Sequence, residues 1–213
     1  MRITKLGHSC LLIEENNARI LTDPGLFSSG HENLINIDAI LITHEHPDHC
    51  DPESLFTILS KNPSAIVYTN SGVAEILKKA GIPYRLLEHN QSTIVKDVNI
   101  EGFGENHAII YPSIPVAKNT GYLIGNRIFT PGDSYTIPGK QIEILALPVW
   151  APWLKISEAI DYAKQVKPKV AFPIHDSVLN TAGSTVSHKW PGQVLPEAGI
   201  EWIIIENGES KEF

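Results

Sequence analysis

His44-Glu45-His46-Pro47-Asp48-His49, set directly after Asp38-Ala39-Ile40-Leu41-Ile42-Thr43, is the stretch on which the reading of this chain turns. The run before it is apolar and bounded by polar residues, the pattern of a strand buried on both faces. Residues two apart in an extended segment point to the same side, so His44 and His46 can grip one cation together. Pro47 bends the chain, and Asp48 and His49 beyond it face elsewhere, where they can hold a second cation nearby. A solvated loop rich in His and Asp is the bland alternative, but metal binding is the usual physical use of so dense a His cluster.

On the N-terminal side the pattern is of short strands and tight turns: Arg2 to Leu6, Cys10 to Glu14 and Arg19 to Leu21, with Asn16-Asn17 as turn residues that tolerate positive φ. On the C-terminal side, Asp51-Pro52-Glu53 reads as an N-cap, a Pro at the first helical position and an acid in the first turn, opening a helix through Ser60. A strand over Ala65 to Tyr68, a helix over Gly72 to Lys79 stopped by Gly81, and a strand over Tyr84 to Leu87 follow. The middle returns to strands, Ser92 to Val95, Val98 to Phe103, Gly121 to Ile124 and Arg127 to Thr130, the last pair joined by a two-residue turn at Gly125-Asn126. The last third reads as a buried strand Ile144 to Leu147, a helix capped by Ser157 and running to about Val166, a strand Val170 to Ile174 and a closing strand Glu201 to Ile205. Both halves combine meanders with helices, so the expected class is α/β (α+β), a four-layer αββα sandwich occupying residues 1–213 as one domain.

Composition narrows the function classes. The chain has 213 residues, 42% hydrophobic and 19% charged, enough for a full core and unlike a disordered or fibrous chain. No apolar stretch approaches the ~20 residues of a membrane-spanning helix, and the run Cys10 to Ile13 stops at Glu14-Glu15 without forming the core of a secretory signal, so a cytoplasmic address is expected. Two cysteines, Cys10 and Cys50, suit a reducing compartment rather than a disulfide framework. A net charge of −7 with no basic stripe argues against nucleic-acid binding. A small-molecule substrate is the expected partner, with self-association left open.

Nine histidines are unusual for this length, and three further candidates sit just past predicted strands: His107, Asp133 in the Pro131-Gly132-Asp133 turn, and His175. A turn aspartate or a core histidine would explain each singly. Together, the run His44 to His49, His107, the Gly132-Asp133 turn and Pro173-Ile174-His175 resemble the metallo-β-lactamase superfamily. The resemblance implies the αββα sandwich, one cation on His44, His46 and His107, a second on Asp48, His49 and His175, and Asp133 bridging them. It implies a hydrolase in which a hydroxide shared by two divalent ions attacks an ester, lactone or phosphodiester, with Asp48 and Asp133 at the reacting centre. Zn2+ best fits so imidazole-rich a donor set, with Mn2+ or Fe tolerated. Asp23, in Leu21-Thr22-Asp23-Pro24-Gly25, matches an early strand-end aspartate expected to accept a hydrogen bond from a ligating imidazole; Asp176 could do likewise or cap a turn.

The opening Leu6-Gly7-His8-Ser9-Cys10 is similar to that of the branch containing L-ascorbate-6-phosphate lactonase and the N-acyl-phosphatidylethanolamine phospholipases D. That similarity implies a place for His8 near the metals, where its substitution would alter substrate preference more than metal occupancy. The segment after His107, with Tyr111, and the segment Pro148 to Trp153, with Trp150 and Trp153, are candidates for a stiff substrate wall. Lys155 is a candidate for an anionic substrate group, and His31, His89 and His188 read as surface or structural. The rivals are an iron-dependent redox protein on the same scaffold and a metal-free, non-enzymatic binding member.

Overall fold

The computed structural model describes residues 1–213. Strands β1 (Arg2–Lys5), β2 (Leu11–Glu15), β3 (Ala18–Thr22), β4 (Ala39–Leu41), β5 (Ile66–Thr69), β6 (Arg85–Leu86) and the C-terminal β14 (Ser210–Glu212) form a seven-stranded sheet ordered β14-β1-β2-β3-β4-β5-β6. Strands β7 (Ser92–Val95), β8 (Val98–Phe103), β9 (Gly121–Ile124), β10 (Ile128–Thr130), β11 (Ile144–Pro148), β12 (Val170–Ile174) and β13 (Glu201–Trp202) form a second, ordered β13-β12-β11-β10-β9-β8-β7.

The period-two alternation of strand side chains assigns the faces. Leu11, Ile13, Ile20, Ala39 and Leu41 of the first sheet meet Ile124, Ile128, Ile144, Ala146 and Phe172 of the second in a shared inner core. Their neighbours point outward. Leu12, Leu21, Ile40 and Ile42 pack under Leu55 and Ile58 of helix α1 (Pro52–Lys61) and Val73 and Leu77 of α2 (Ser71–Ala80). Leu123, Phe129, Leu145 and Leu147 pack under Ala159, Tyr162 and Ala163 of α3 (Ile156–Val166), beside which lies α4 (Thr181–Val194). The order of layers is αββα, as expected from the strand and helix pattern.

The helix starts follow from capping chemistry. Asp51 caps α1 by accepting from Ser54 N, with Pro52 at the first helical position, and Asn70 caps α2, which ends on Gly81 at φ 73. Strands β3, β4 and β5 run parallel, as do β10 to β13. The loops that leave their carboxyl ends therefore gather at one edge of the sandwich. Thr43 O stitches the two sheets there, accepting from Thr120 N at 2.9 Å and from Asn70 Nδ2 at 2.7 Å.

Three local expectations need correction, and two elements were not expected. Helix α3 starts two residues earlier than a Ser157 cap would set it: Lys155 is the cap, extended and without a side-chain capping bond, so that Ile156 can pack into the outer core. The β9–β10 loop has three residues, since Ile124 pairs with Ile128, and the extra Arg127 reaches Glu143 at 2.7 Å. The closing strand pairs only over Glu201–Trp202; Ile203 and Ile205 leave the ladder but stay buried in the inner core. Strand β14 carries no sequence signal of its own, and helix α4 carries only its Asn180 cap, which accepts from Gly183 N at 2.9 Å. The α4 run holds Gly183, Pro191 and Gly192, all poor helix formers, and β14 is three exposed polar residues recruited by pairing with β1.

Candidate metal centre

The sandwich edge collects side chains from widely separated segments. His44, His46, Asp48 and His49 come from the loop after β4, His107 from the loop after β8, Asp133 from the turn after β10, and His175 from the end of β12. His44, His46 and His107 bring one ligand atom each to within 4.8 Å of one another; so do His8, Asp48, His49 and His175, and so do His44, His49 and Asp133. Asp133 lies at the junction, its oxygens 3.2 Å from His49 Nε2, 3.4 Å from His107 Nε2 and 3.0 Å from His175 Nε2.

The imidazoles are held from behind. His107 Nδ1 donates to the Ala108 carbonyl at 2.5 Å and His175 Nδ1 to the Trp150 carbonyl at 2.6 Å, which fixes the tautomer of both and leaves Nε2 bare. His49 Nδ1 donates to Asp23 Oδ2 at 2.9 Å. Thr43 Oγ1 donates to the same Asp23 oxygen at 2.9 Å and so accepts from His44 Nδ1 at 3.0 Å. Asp23 is buried at φ 41 and also takes Thr43 N at 2.7 Å, so one carboxylate orients two imidazoles, one directly and one through a hydroxyl.

The buried atoms that face inward fit a cation. His49 Nε2, His107 Nε2, His175 Nε2 and Asp133 Oδ1 have no hydrogen-bond partner, although an unsatisfied buried polar atom costs about 1–3 kcal/mol. His44 Nε2 and His46 Nδ1 are 3.1 Å apart, close to the ~3.3 Å between nitrogens of a tetrahedral centre with bonds of ~2.05 Å.

Charge is finely balanced. Burial holds His44 well below the usual imidazole pKa, reinforced by the neighbouring His49. Burial also opposes charge on His49, but Asp133 and Asp23 outweigh it and hold that ring well above its usual value. Asp133 is buried too, yet His49, with His107 and His175, keeps it well below the carboxylate range.

His8 is fully buried, with Nε2 3.0 Å from Asp48 Oδ2 and its ring 3.9 Å from that of His175, so it packs directly against the cluster. Trp153 donates its indole N–H to Asp133 Oδ2 at 2.8 Å. The Trp150 side chain is elsewhere, 39% exposed on the outer side of its loop. Tyr111 is 63% exposed and makes no side-chain hydrogen bond, and Lys155 is exposed. Asp176 bonds Lys5 and His188, not a clustered imidazole, and the His175 Nδ1 it was expected to serve is taken by the Trp150 carbonyl. His89 accepts from Gly104 N and His31 is buried beyond the cluster. Sequence reasoning missed Thr43, whose hydroxyl looks like any strand-end threonine, and Asn119, which accepts from Asp133 N at 3.0 Å and donates to the Pro131 carbonyl at 2.9 Å.

The beta-lactamase superfamily domain model matches residues 2–175. The Mycobacterium tuberculosis protein Rv0786c is 43% identical over 184 residues, covering 84% of this chain and 85% of that protein. A UPF0173 metal-dependent hydrolase of Thermoplasma volcanium is 27% identical, covering 79% of this chain and 80% of its own length. Among solved structures, the metallo hydrolase Igni18 of Ignicoccus hospitalis matches with a TM-score of 0.76 at 19% identity, over 100% of this chain and 98% of that one. An isothiocyanate hydrolase from Delia radicum gut bacteria matches with a TM-score of 0.72 at 16% identity, over 100% and 99%. These two share the fold. With the family model spanning most of the sequence from β1 to His175, the chain belongs to the beta-lactamase superfamily.

Proposed function

We propose that this chain is a metal-dependent hydrolase that takes two divalent cations, most favourably Zn2+, and cleaves an ester, lactone or phosphodiester bond in a small molecule. The observation that carries the reading is the set of buried, partnerless ring nitrogens and the free Asp133 oxygen turned into one space. His44, His46 and His107 would hold one cation, Asp48, His49 and His175 the other, and Asp133 would be shared. When bound, such a pair supplies a water acidified toward pKa ~7 and a Lewis acid for the substrate's electrophilic oxygen.

The chain's own groups do the rest. Asp23 and Thr43 keep the bare nitrogens of His49 and His44 aimed inward. His8 holds Asp48 Oδ2, the same oxygen that lies 3.6 Å from His175 Nε2 and 3.9 Å from His49 Nε2, and so fixes the carboxylate against both imidazoles. The Trp153 N–H neutralises part of the charge on Asp133 and sets its plane. The Trp153 ring lies edge-on to both His107 and Tyr135, with centroids 5.9 and 5.2 Å away, and screens that side from water.

The test is metal content after equilibrium dialysis against Zn2+, Mn2+ and Fe2+, followed by a screen of lactones, thioesters and phosphodiesters. Two equivalents per chain with turnover that His46→Ala abolishes is the expected result. No bound ion under any loading, or full activity of His46→Ala, overturns the reading; one iron with oxygen uptake would assign the chain to redox chemistry instead. Bound cation at 100 times its Kd should add about 2.7 kcal/mol of stability, visible as a rise in Tm of about 5–10 °C for a chain of this size.

A further inference from the structure

An apolar concave feature shares its loop with the metal centre. Between the 149–156 loop and the N-terminal half of α4 runs a groove of about 580 Å³ lined by eleven residues, nine of them hydrophobic, including Trp150, Leu154, Leu179, Ala182, Val186 and Trp190. None of the lining residues is charged. The neighbouring cavity around Lys5 and His188 is smaller, about 370 Å³, and has one apolar residue among ten. The apolar lining is exposed rather than sealed: Val186 is 58% and Trp190 45% accessible.

The groove and the centre share a wall. The Trp150 carbonyl receives the His175 Nδ1 hydrogen while the Trp150 side chain lines the groove. Trp153, three residues on, holds Asp133, and Leu179, four residues past His175, lines the groove's other side. Ser187 Oγ donates to the Val149 carbonyl at 2.8 Å, pinning α4 to this loop and satisfying the polar group at the base. A ligand in the groove therefore finds apolar surface and must make its polar contacts outside it. The loop that lines the groove carries on its other side the Trp150 carbonyl and the Trp153 N–H that hold His175 and Asp133, while the polar cavity around Lys5 and His188 meets the groove at Leu179. The volume lies within the roughly 300–1,000 Å³ of small-molecule sites.

We propose that the substrate carries an apolar chain or ring which this groove receives, so that the enzyme acts on amphiphilic molecules whose scissile group sits at the metal centre. The proposal rests on the hydrolase reading above. Its occupant is the apolar part of the substrate, because a groove walled by the loop that anchors His175 and Asp133 puts binding free energy within one molecule's length of the reacting groups. A second copy of the chain would cover the groove without using that continuity.

The experiment measures kcat/KM of the metal-loaded protein on esters, thioesters and alkyl phosphodiesters homologous from two to ten carbons. In parallel, tryptophan emission of the metal-free protein is followed on titration with 1-octanol. The expected result is a rise of up to about fourfold per added methylene, the Boltzmann factor for burying one CH2, levelling off once the groove is filled. Saturable quenching or a blue shift with octanol should accompany it. Val186→Asp, an exposed helix position, should flatten the chain-length series and weaken the octanol response at least tenfold. Ile94→Asp, on β7 at the opposite edge of the second sheet, should leave the slope as it was. A flat series in the wild-type protein, or no emission response to octanol, overturns the proposal. So does a dimer that Val186→Asp dissociates, which would give the groove to a second copy. If the metal-loaded protein hydrolyses no homologue, the hydrolase reading falls, and the octanol titration alone then decides whether the groove takes an apolar ligand.

Discussion

His8 Nε2 lies 3.0 Å from Asp48 Oδ2, across 40 positions of sequence. The contact is built in by the backbone. His8 sits at φ 44, its N–H donates to Ser177 Oγ, and its carbonyl accepts from His175 N at 2.9 Å. One residue of the first sheet's opening turn is thereby tied to Asp48 and to the end of β12. Burial raises the Asp48 pKa, but the His8 hydrogen bond, with His49 and His175 nearby, outweighs it and holds the carboxylate down to about 2.

His8→Ala should therefore act on metal occupancy, which reverses the expectation that its main effect is on substrate preference. Freed of one hydrogen bond, Asp48 loses a fixed orientation, and affinity at the Asp48, His49 and His175 pocket should drop about 10–100-fold. The His44, His46 and His107 pocket should keep its ion, so titration calorimetry should separate into one tight and one weak site. His8→Gln, which can still donate, should restore much of the loss. Equal weakening of both sites would point to a general loss of structure instead.

Asp23→Asn replaces an acceptor shared by His49 Nδ1, Thr43 Oγ1 and Thr43 N with an amide that cannot serve all three. Metal affinity should fall about 10–100-fold, and the pocket containing His49 should lose more than the one containing His46. Thr43→Val removes only the hydroxyl between Asp23 and His44, so its loss should appear at the pocket containing His44 and His46. The two variants are distinguished by which ion dissociates first on chelator titration.

The layers and most of the cluster could be read from the sequence because their signals are local. The unbroken apolar run Ala39 to Ile42 marks a strand buried on both faces without any knowledge of the partner sheet, and a His-x-His spacing marks one side of an extended loop. What stayed hidden depends on contacts made only after folding. Thr43 and Asn119 earn their roles from residues up to 20 positions away, and a lone hydroxyl or amide carries no periodicity. Helix α4 is stabilised by its place beside α3 against intrinsic propensities that disfavour it. The two tryptophans of the 149–156 loop look equivalent in sequence, yet the turn sends Trp153 to Asp133 and Trp150 to the outer groove.

Gly25 is required by close approach rather than by backbone angle. A Cβ added there would collide with the backbone of Asp48 and His49, where Leu26 N already donates to the Pro47 carbonyl at 2.9 Å. Gly25→Ala should push the two loops apart and cost about 1–3 kcal/mol by overpacking. It should also weaken metal binding, since the displaced backbone carries two candidate ligands. Denaturant unfolding of the metal-free protein reads the first effect and calorimetry the second; a variant as stable as wild type with unchanged affinity would show that the loops can shift freely.

Lys5 and Asp176 form a second buried polar cluster, separate in role from the metal centre. Lys5 is 3% exposed, and Nζ donates to both Asp176 oxygens at 2.8 and 2.9 Å and to the Pro173 carbonyl at 3.0 Å. His188 Nε2 adds a contact to Asp176 at 2.9 Å. Burial pushes the Asp176 pKa up, but His188 and Lys5 outweigh it and hold the carboxylate below its usual range. Lys5→Met removes the cation and strands the carboxylate, for which the cost is about 3–5 kcal/mol, or a fall in Tm of about 6–20 °C at this chain length. The double variant Lys5→Met with Asp176→Asn removes the charge as well and should recover more than half of the loss, because a neutral amide can still bond His188. Thermal unfolding of the four metal-free proteins closes the cycle. If Lys5→Met alone costs under 1 kcal/mol, water reaches Asp176 through the neighbouring polar cavity and the pair does not hold the strand end together.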